Sequence, residues 1–109
     1  MIGVNTDEDR RINPTEARQK FMELIHEQRH MLSPHAKKQA SARGFSDIQI
    51  YRCLETGSMV DGPYQNIKGN WESTFEGTVA GDAMRVAAAL HLATLEYVVV
   101  ITVIDISRR

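Results

Sequence analysis

One cysteine, Cys53, stands alone in 109 residues. A single thiol closes no internal disulfide and makes no zinc site, which argues for a reducing, cytoplasmic setting. Long apolar runs are also missing. The densest, "YVVVITVI", is strand length and far short of the roughly 18 residues that read as a membrane span. The opening "MIGVNTDEDRR" puts no apolar core behind a basic start, so it does not read as a secretory signal. Internal repeats, low-complexity tracts and linkers are lacking, and the length leaves no room for a second domain. Charge of one sign is lacking too: the net charge is −1, a weaker footprint than a dedicated nucleic-acid binder carries.

What is present is ordinary in amount and uneven in placement. Hydrophobic residues at 42% and charged residues at 25% suffice for a folded core. Residues 10–52 hold nine Lys or Arg against four Asp or Glu and three of the four histidines, whereas residues 53–109 hold four against seven. The front half is basic and the back half acidic. Residues 1–12 are expected to be a flexible leader with little to bury, and residues 13–109 a single domain.

Helix-start signals crowd the basic half. Asn13, Pro14 and Glu16 form a cap, a first-turn proline and a capping carboxylate, followed by Ala17, Phe21, Leu24 and Ile25 on one face. That helix is expected to end near Arg29 or Met31. Ser33 and Pro34 start a second helix, closed at Arg43 by Gly44. Ser46 and Gln49 form another capping box, and Ile48, Tyr51 and Leu54 follow until Gly57. Beyond Gly57 the period changes. A short strand fits around residues 63–67, "WESTFEGTV" alternates, and "YVVVITVID" is apolar on both faces, as a central strand would be. Residues 83–95, "AMRVAAALHLATL", would suit a helix by propensity. Strand is the better reading because a hairpin with the preceding segment gives the last strand a partner. The sum is an α+β domain, N-terminal helices on one face of a roughly four-stranded antiparallel sheet.

The stretch "HAKKQASARGFS", then "DIQIYRCLETG", then strands ending in "VVVITVID", resembles a family of small bacterial domains of unknown function. That family carries an HA pair, an RG pair eight residues after the His, a helix closed by Gly and a C-terminal strand. His35, Ala36, Arg43, Gly44 and Gly57 fall on the pattern over roughly residues 32–106. Gln39 and Ala40 stand where the family usually has Arg and Met. Such domains look similar to RelE-like toxins of the barnase, EndoU, colicin and RelE assemblage. The resemblance implies that fold and metal-independent RNA cleavage, with no cofactor. Fold likeness alone does not transmit activity, so the residues must carry the case.

Cleaving RNA without a metal takes a base for the 2′-hydroxyl, an acid for the leaving oxygen and cations against the phosphate. His35, Gln39 and Arg43 recur at four-residue steps with Lys38 on the flank. His35 in the first turn reads either as a base kept neutral by the helix dipole or as a helper of the turn. Arg43 reads as a phosphate ligand or as a partner of terminal carbonyls. In the sheet, Arg85 and His91 share a face, and Glu72 and Glu76 could project beside them as a site or as exposed ion pairs. The catalytic candidates are therefore His35, His91 and Arg85, and the nucleic-acid-binding candidates Lys38, Arg43 and Tyr64. Trp71 and Phe75 read as rings for stacking on bases or as core, with core the preferred reading, and Cys53 reads as a buried filler. His26 and His30 lie four apart with no third ligand marked out, so no metal site is assigned. The partner is expected to be RNA or, for a non-catalytic interaction module of toxin–antitoxin, immunity or phage-inhibitor type, a protein. Homodimerisation through the leading helix is compatible with both.

Overall fold

The computed structural model describes residues 11–107. Most of the expected leader, residues 1–12, lies outside that span, but Ile12 packs against the core. Three helices, α1 (Pro14–His26), α2 (Pro34–Arg43) and α3 (Asp47–Thr56), accompany five strands: β1 (His30–Leu32), β2 (Ser58–Gln65), β3 (Trp71–Val79), β4 (Asp82–His91) and β5 (Tyr97–Asp105). The strands form one sheet in the order β1-β5-β4-β3-β2. β2 through β5 are antiparallel, and β1 lies parallel to β5. The α+β class is as expected from the sequence, with one strand more. No described helix is long and apolar enough to cross a membrane.

Each helix starts where its cap places it. Asn13 accepts from the Glu16 amide while Glu16 accepts from the Asn13 amide, and Ser46 and Gln49 repeat the arrangement at α3. Gly44 ends α2 at φ 75°, a conformation costly for a side chain with a Cβ. Gly57 ends α3 for a different reason. Its backbone is extended, but a Cβ there would stand 2.5 Å from the Glu76 carbonyl oxygen and 2.6 Å from that of Cys53. Helix and strand meet through that missing side chain.

The ambiguous segment, residues 83–95, is strand only as far as His91, where the central strand β4 ends, and residues 92–95 turn the chain towards β5. Met84, Val86, Ala88 and Leu90 are wholly buried, facing the helices with Phe75 of β3 and Val98, Val100 and Val103 of β5. Helix α1 contributes Ala17, Phe21, Leu24 and Ile25 to this core, and Phe21 meets Phe75 edge-on at 5.0 Å. Its apolar face is thus spent on the chain's own sheet.

A register shift between Ala87 and Ala88 marks a bulge in which Ile101 is the extra residue of β5. Just past it, the Val103 amide donates to Gln39 Oε1 at 2.8 Å, tying α2 to the strand. This explains a glutamine at that place, since arginine has donors only and could not receive the amide. Gln39→Arg should therefore cost about 1–3 kcal/mol in urea unfolding, the penalty for an unmet part-buried N–H, while Gln39→Glu keeps the acceptor and costs less. Equal losses would show that the bond carries no weight.

Candidate functional site

The helices cover one face of the sheet. The other presents Glu72, Thr74 and Glu76 of β3, Arg85, Ala87, Ala89 and His91 of β4, and Tyr97 and Val99 of β5, as the register dictates. A groove of about 720 Å³ runs over this open face. Val99 and Ile101 lie along it, Met31, Ser33 and Pro34 flank it from β1 and the start of α2, and residues 66–70 border it between β2 and β3. Ala89, flanked by Glu72 and Val99, is wholly buried although it points away from the helices.

The loop at the groove's border holds its own shape. Asn66 Oδ1 accepts from the amides of Lys68 and Asn70, both at 3.0 Å, and Gly69 turns the chain at φ 85°. The Asn66 amide group donates to Glu72 Oε1 at 3.1 Å, and the Tyr64 hydroxyl donates to Glu72 Oε2 at 2.8 Å. Lys68 is exposed and forms no ion pair among the described residues.

His91 stands at the end of the groove. Its ring stacks on Tyr97 at 4.6 Å, and its Nδ1 lies 2.9 Å from the Leu95 carbonyl oxygen. A carbonyl only accepts, so Nδ1 carries the proton and the neutral ring keeps its lone pair on Nε2. An imidazole oriented by a backbone carbonyl, with one nitrogen left over, is the arrangement a general base needs.

The sequence-derived candidates do not all meet. His91 lines the groove and shares it with Glu72, while Arg85 lies on the same face but six residues away along β4, about 20 Å at 3.3 Å per residue. There its guanidinium binds Glu76 Oε2 through Nε at 2.6 Å. The shared face is real and the convergence of Arg85 with His91 is not. His35 is exposed on α2 just past the residues that flank the groove, which reaches Ser33 and Pro34. Lys38 and Arg43 are exposed on the same helix, with Arg43 about 14 Å from Pro34 at 1.5 Å per residue. Tyr64 is exposed, but its hydroxyl is engaged by Glu72. Asn66, Lys68, Asn70 and Tyr97 were not singled out from the sequence. The signal for the first three was there, a cation between asparagines in the turn-rich "NIKGN".

Elsewhere, Cys53 is wholly buried and its thiol pushed up to about 11, chiefly by burial. His26 lies 3.5 Å from Glu55, and the His30 ring packs against Tyr51 at 3.7 Å with the ring planes tilted by 39°. Among the described residues, no three or more His, Cys, Asp or Glu are grouped to hold a metal ion.

Fold and groove together define a small α+β protein with an uncovered sheet face and an oriented histidine upon it. Residues 32–105 match the family described as a domain of unknown function (DUF4258), and the chain belongs to that family. The match begins at the last residue of β1, so α1 lies outside it although it completes the core. No curated protein and no solved structure matches the chain.

The Glu72 contact has a titratable consequence. Hydrogen bonding to that carboxylate, then burial, raises the Tyr64 pKa above its ordinary 10. Between 10 and the raised value the folded chain keeps a proton that the unfolded chain has lost, so this contact stabilises the fold below pH 10 and the contribution is lost as pH rises through the folded pKa. In a phenolate absorbance titration, Glu72→Gln should move Tyr64 down towards 10. An unmoved titration would contradict the contact.

Proposed function

We propose that this protein is a RelE-like ribonuclease that cleaves single-stranded RNA in the open-face groove, without a metal, with His91 as general base. The observation that carries the reading is the His91 ring, oriented through Nδ1 by the Leu95 carbonyl on the sheet face that no helix covers. In the step envisaged, His91 Nε2 takes the proton of a 2′-hydroxyl. The 2′-oxygen bonds to phosphorus, the bond from phosphorus to the 5′-oxygen breaks, and solvent protonates that oxygen. The products are a 2′,3′-cyclic phosphate and a 5′-hydroxyl, so atoms balance without a further reactant. Lys68 neutralises phosphate charge and Tyr97 backs the imidazole. Lys38, Arg43 and His35 on α2 are assigned to the flanking RNA backbone, and Arg85, neutralised by Glu76, to holding the far end of the sheet. A cytoplasmic place of action fits a single unpaired, buried thiol.

A second reading is favoured by one observation: the groove's rim is apolar at Met31, half exposed, and at Ile67, wholly exposed. On that reading the groove receives a protein, and the domain is an interaction module of the toxin–antitoxin, immunity or inhibitor kind.

Incubation of the purified protein with mixed-sequence RNA in excess chelator separates the two. Cleavage should yield cyclic phosphate ends, His91→Ala should lower the rate at least about 100-fold, and His35→Ala should change it only a few fold. No cleavage, or equal losses in both variants, removes His91 from the role.

A further inference from the structure

We propose that the pocket at the end of the sheet, beyond His91, is a base-binding subsite in which Trp71 stacks on the nucleotide next to the one in the groove. The inference rests on the RNA reading above and adds a specificity determinant to it.

The pocket, about 240 Å³, is separate from the groove, yet His91, Lys68 and Asn70 line both. These three residues therefore stand at the junction. Register explains the geometry. Trp71 opens β3 opposite Leu90, with its side chain on the helix side, and His91 is the next residue along β4, on the open side. The pocket wraps the sheet's end and joins the two faces. A nucleic-acid strand alternates base-bearing sugars with phosphates, so a strand passing from groove to pocket sets one phosphate at the junction. That phosphate would meet Lys68, the cation lining both compartments, and the imidazole that takes the neighbouring 2′-proton. Glu72, on the groove side, disfavours a second phosphate there.

The pocket also has what reading a base requires. Trp71 is half-buried and held against the core, a fixed aromatic surface of the kind bases stack on. The side-chain amide of Asn70 has no partner among the described residues. Gln65 donates through Nε2 to the Gly69 carbonyl at 3.1 Å, which leaves its Oε1 to accept. One fixed ring with amide donors and acceptors lining the same pocket suits an unstacked base. The substrate class is therefore RNA single-stranded at the cleavage step, with a base preference at the neighbouring position.

Trp71 is the only tryptophan, and because it also lines a second pocket with Arg11, Lys20 and Glu96, the Lys68 and Asn70 variants assign any change in its emission to this pocket. The test titrates the full-length protein with 2′-O-methyl tetranucleotides of A, C, G or U, which cannot undergo transesterification, and with inorganic phosphate. A labelled tetranucleotide read by polarisation follows binding independently. The subsite predicts saturable quenching by RNA, at least threefold tighter for one base than for the weakest, and none by phosphate. Asn70→Ala should reduce the spread between bases, and Lys68→Ala should weaken all four about tenfold. Trp71→Leu should weaken polarisation-detected binding, while Trp71→Phe, which keeps a ring, should largely restore it. Unchanged emission while polarisation saturates, equal quenching by phosphate, or no binding at millimolar RNA overturns the subsite. Quenching without cleavage of unmodified RNA retains the subsite and removes the ribonuclease, and cleavage with unmoved emission does the reverse.

Discussion

The helices cover the sheet on one side only, and everything else about the molecule depends on how that asymmetry is enforced. The middle strand β4 sends Met84, Val86, Ala88 and Leu90 to the helices, each wholly buried. At the usual 25 cal/mol per Å² such side chains each contribute on the order of 1–3 kcal/mol, alanine less. A slip of one residue would turn this set to solvent, so the register is strongly specified. The same register turns Arg85, Ala87, Ala89 and His91 the other way. The open face is therefore a product of core packing, and its chemistry is placed by residues that never touch it.

Two turns complete what the register begins. Asn66 folds residues 66–70 upon themselves and anchors Glu72, which in turn engages Tyr64. The connection from β4 to β5 brings the Leu95 carbonyl to His91 Nδ1. Both turns lie at the same end of the sheet, where β3 starts and β4 ends. Polar side chains oriented by turns on a packed sheet are a common way to build a site, since the scaffold supplies rigidity and the turns supply variety. At the opposite end Arg85 and Glu76 form an exposed pair with little more than a surface role.

Helix boundaries were legible because caps are local: Asn13, Ser33 and Ser46 each act within three residues. Strand β4 was legible only through its partners, since its alanines favour helix and pairing with β3 and β5 overrides them. Strand β1 was not legible. It has three residues, borrows its bonds from β5, and follows α1 without a break in pattern. In the site, His91 and its face followed from alternation, but alternation gives side and not distance, so Arg85 was grouped with a histidine six residues away. Gln39 looked like a lost cation and is an acceptor for the Val103 amide, a contact spanning 64 positions that no local pattern reveals.

The central claim is that the uncovered sheet face, rather than the cationic helix α2, is where this protein meets its ligand. Amide chemical-shift mapping with a non-cleavable single-stranded RNA tests it most directly. The account predicts that the largest changes fall on Lys68, Asn70, Glu72, His91, Val99 and Ile101, with smaller ones trailing along α2. Changes centred on Lys37, Lys38 and Arg43, with the sheet face undisturbed, would contradict it.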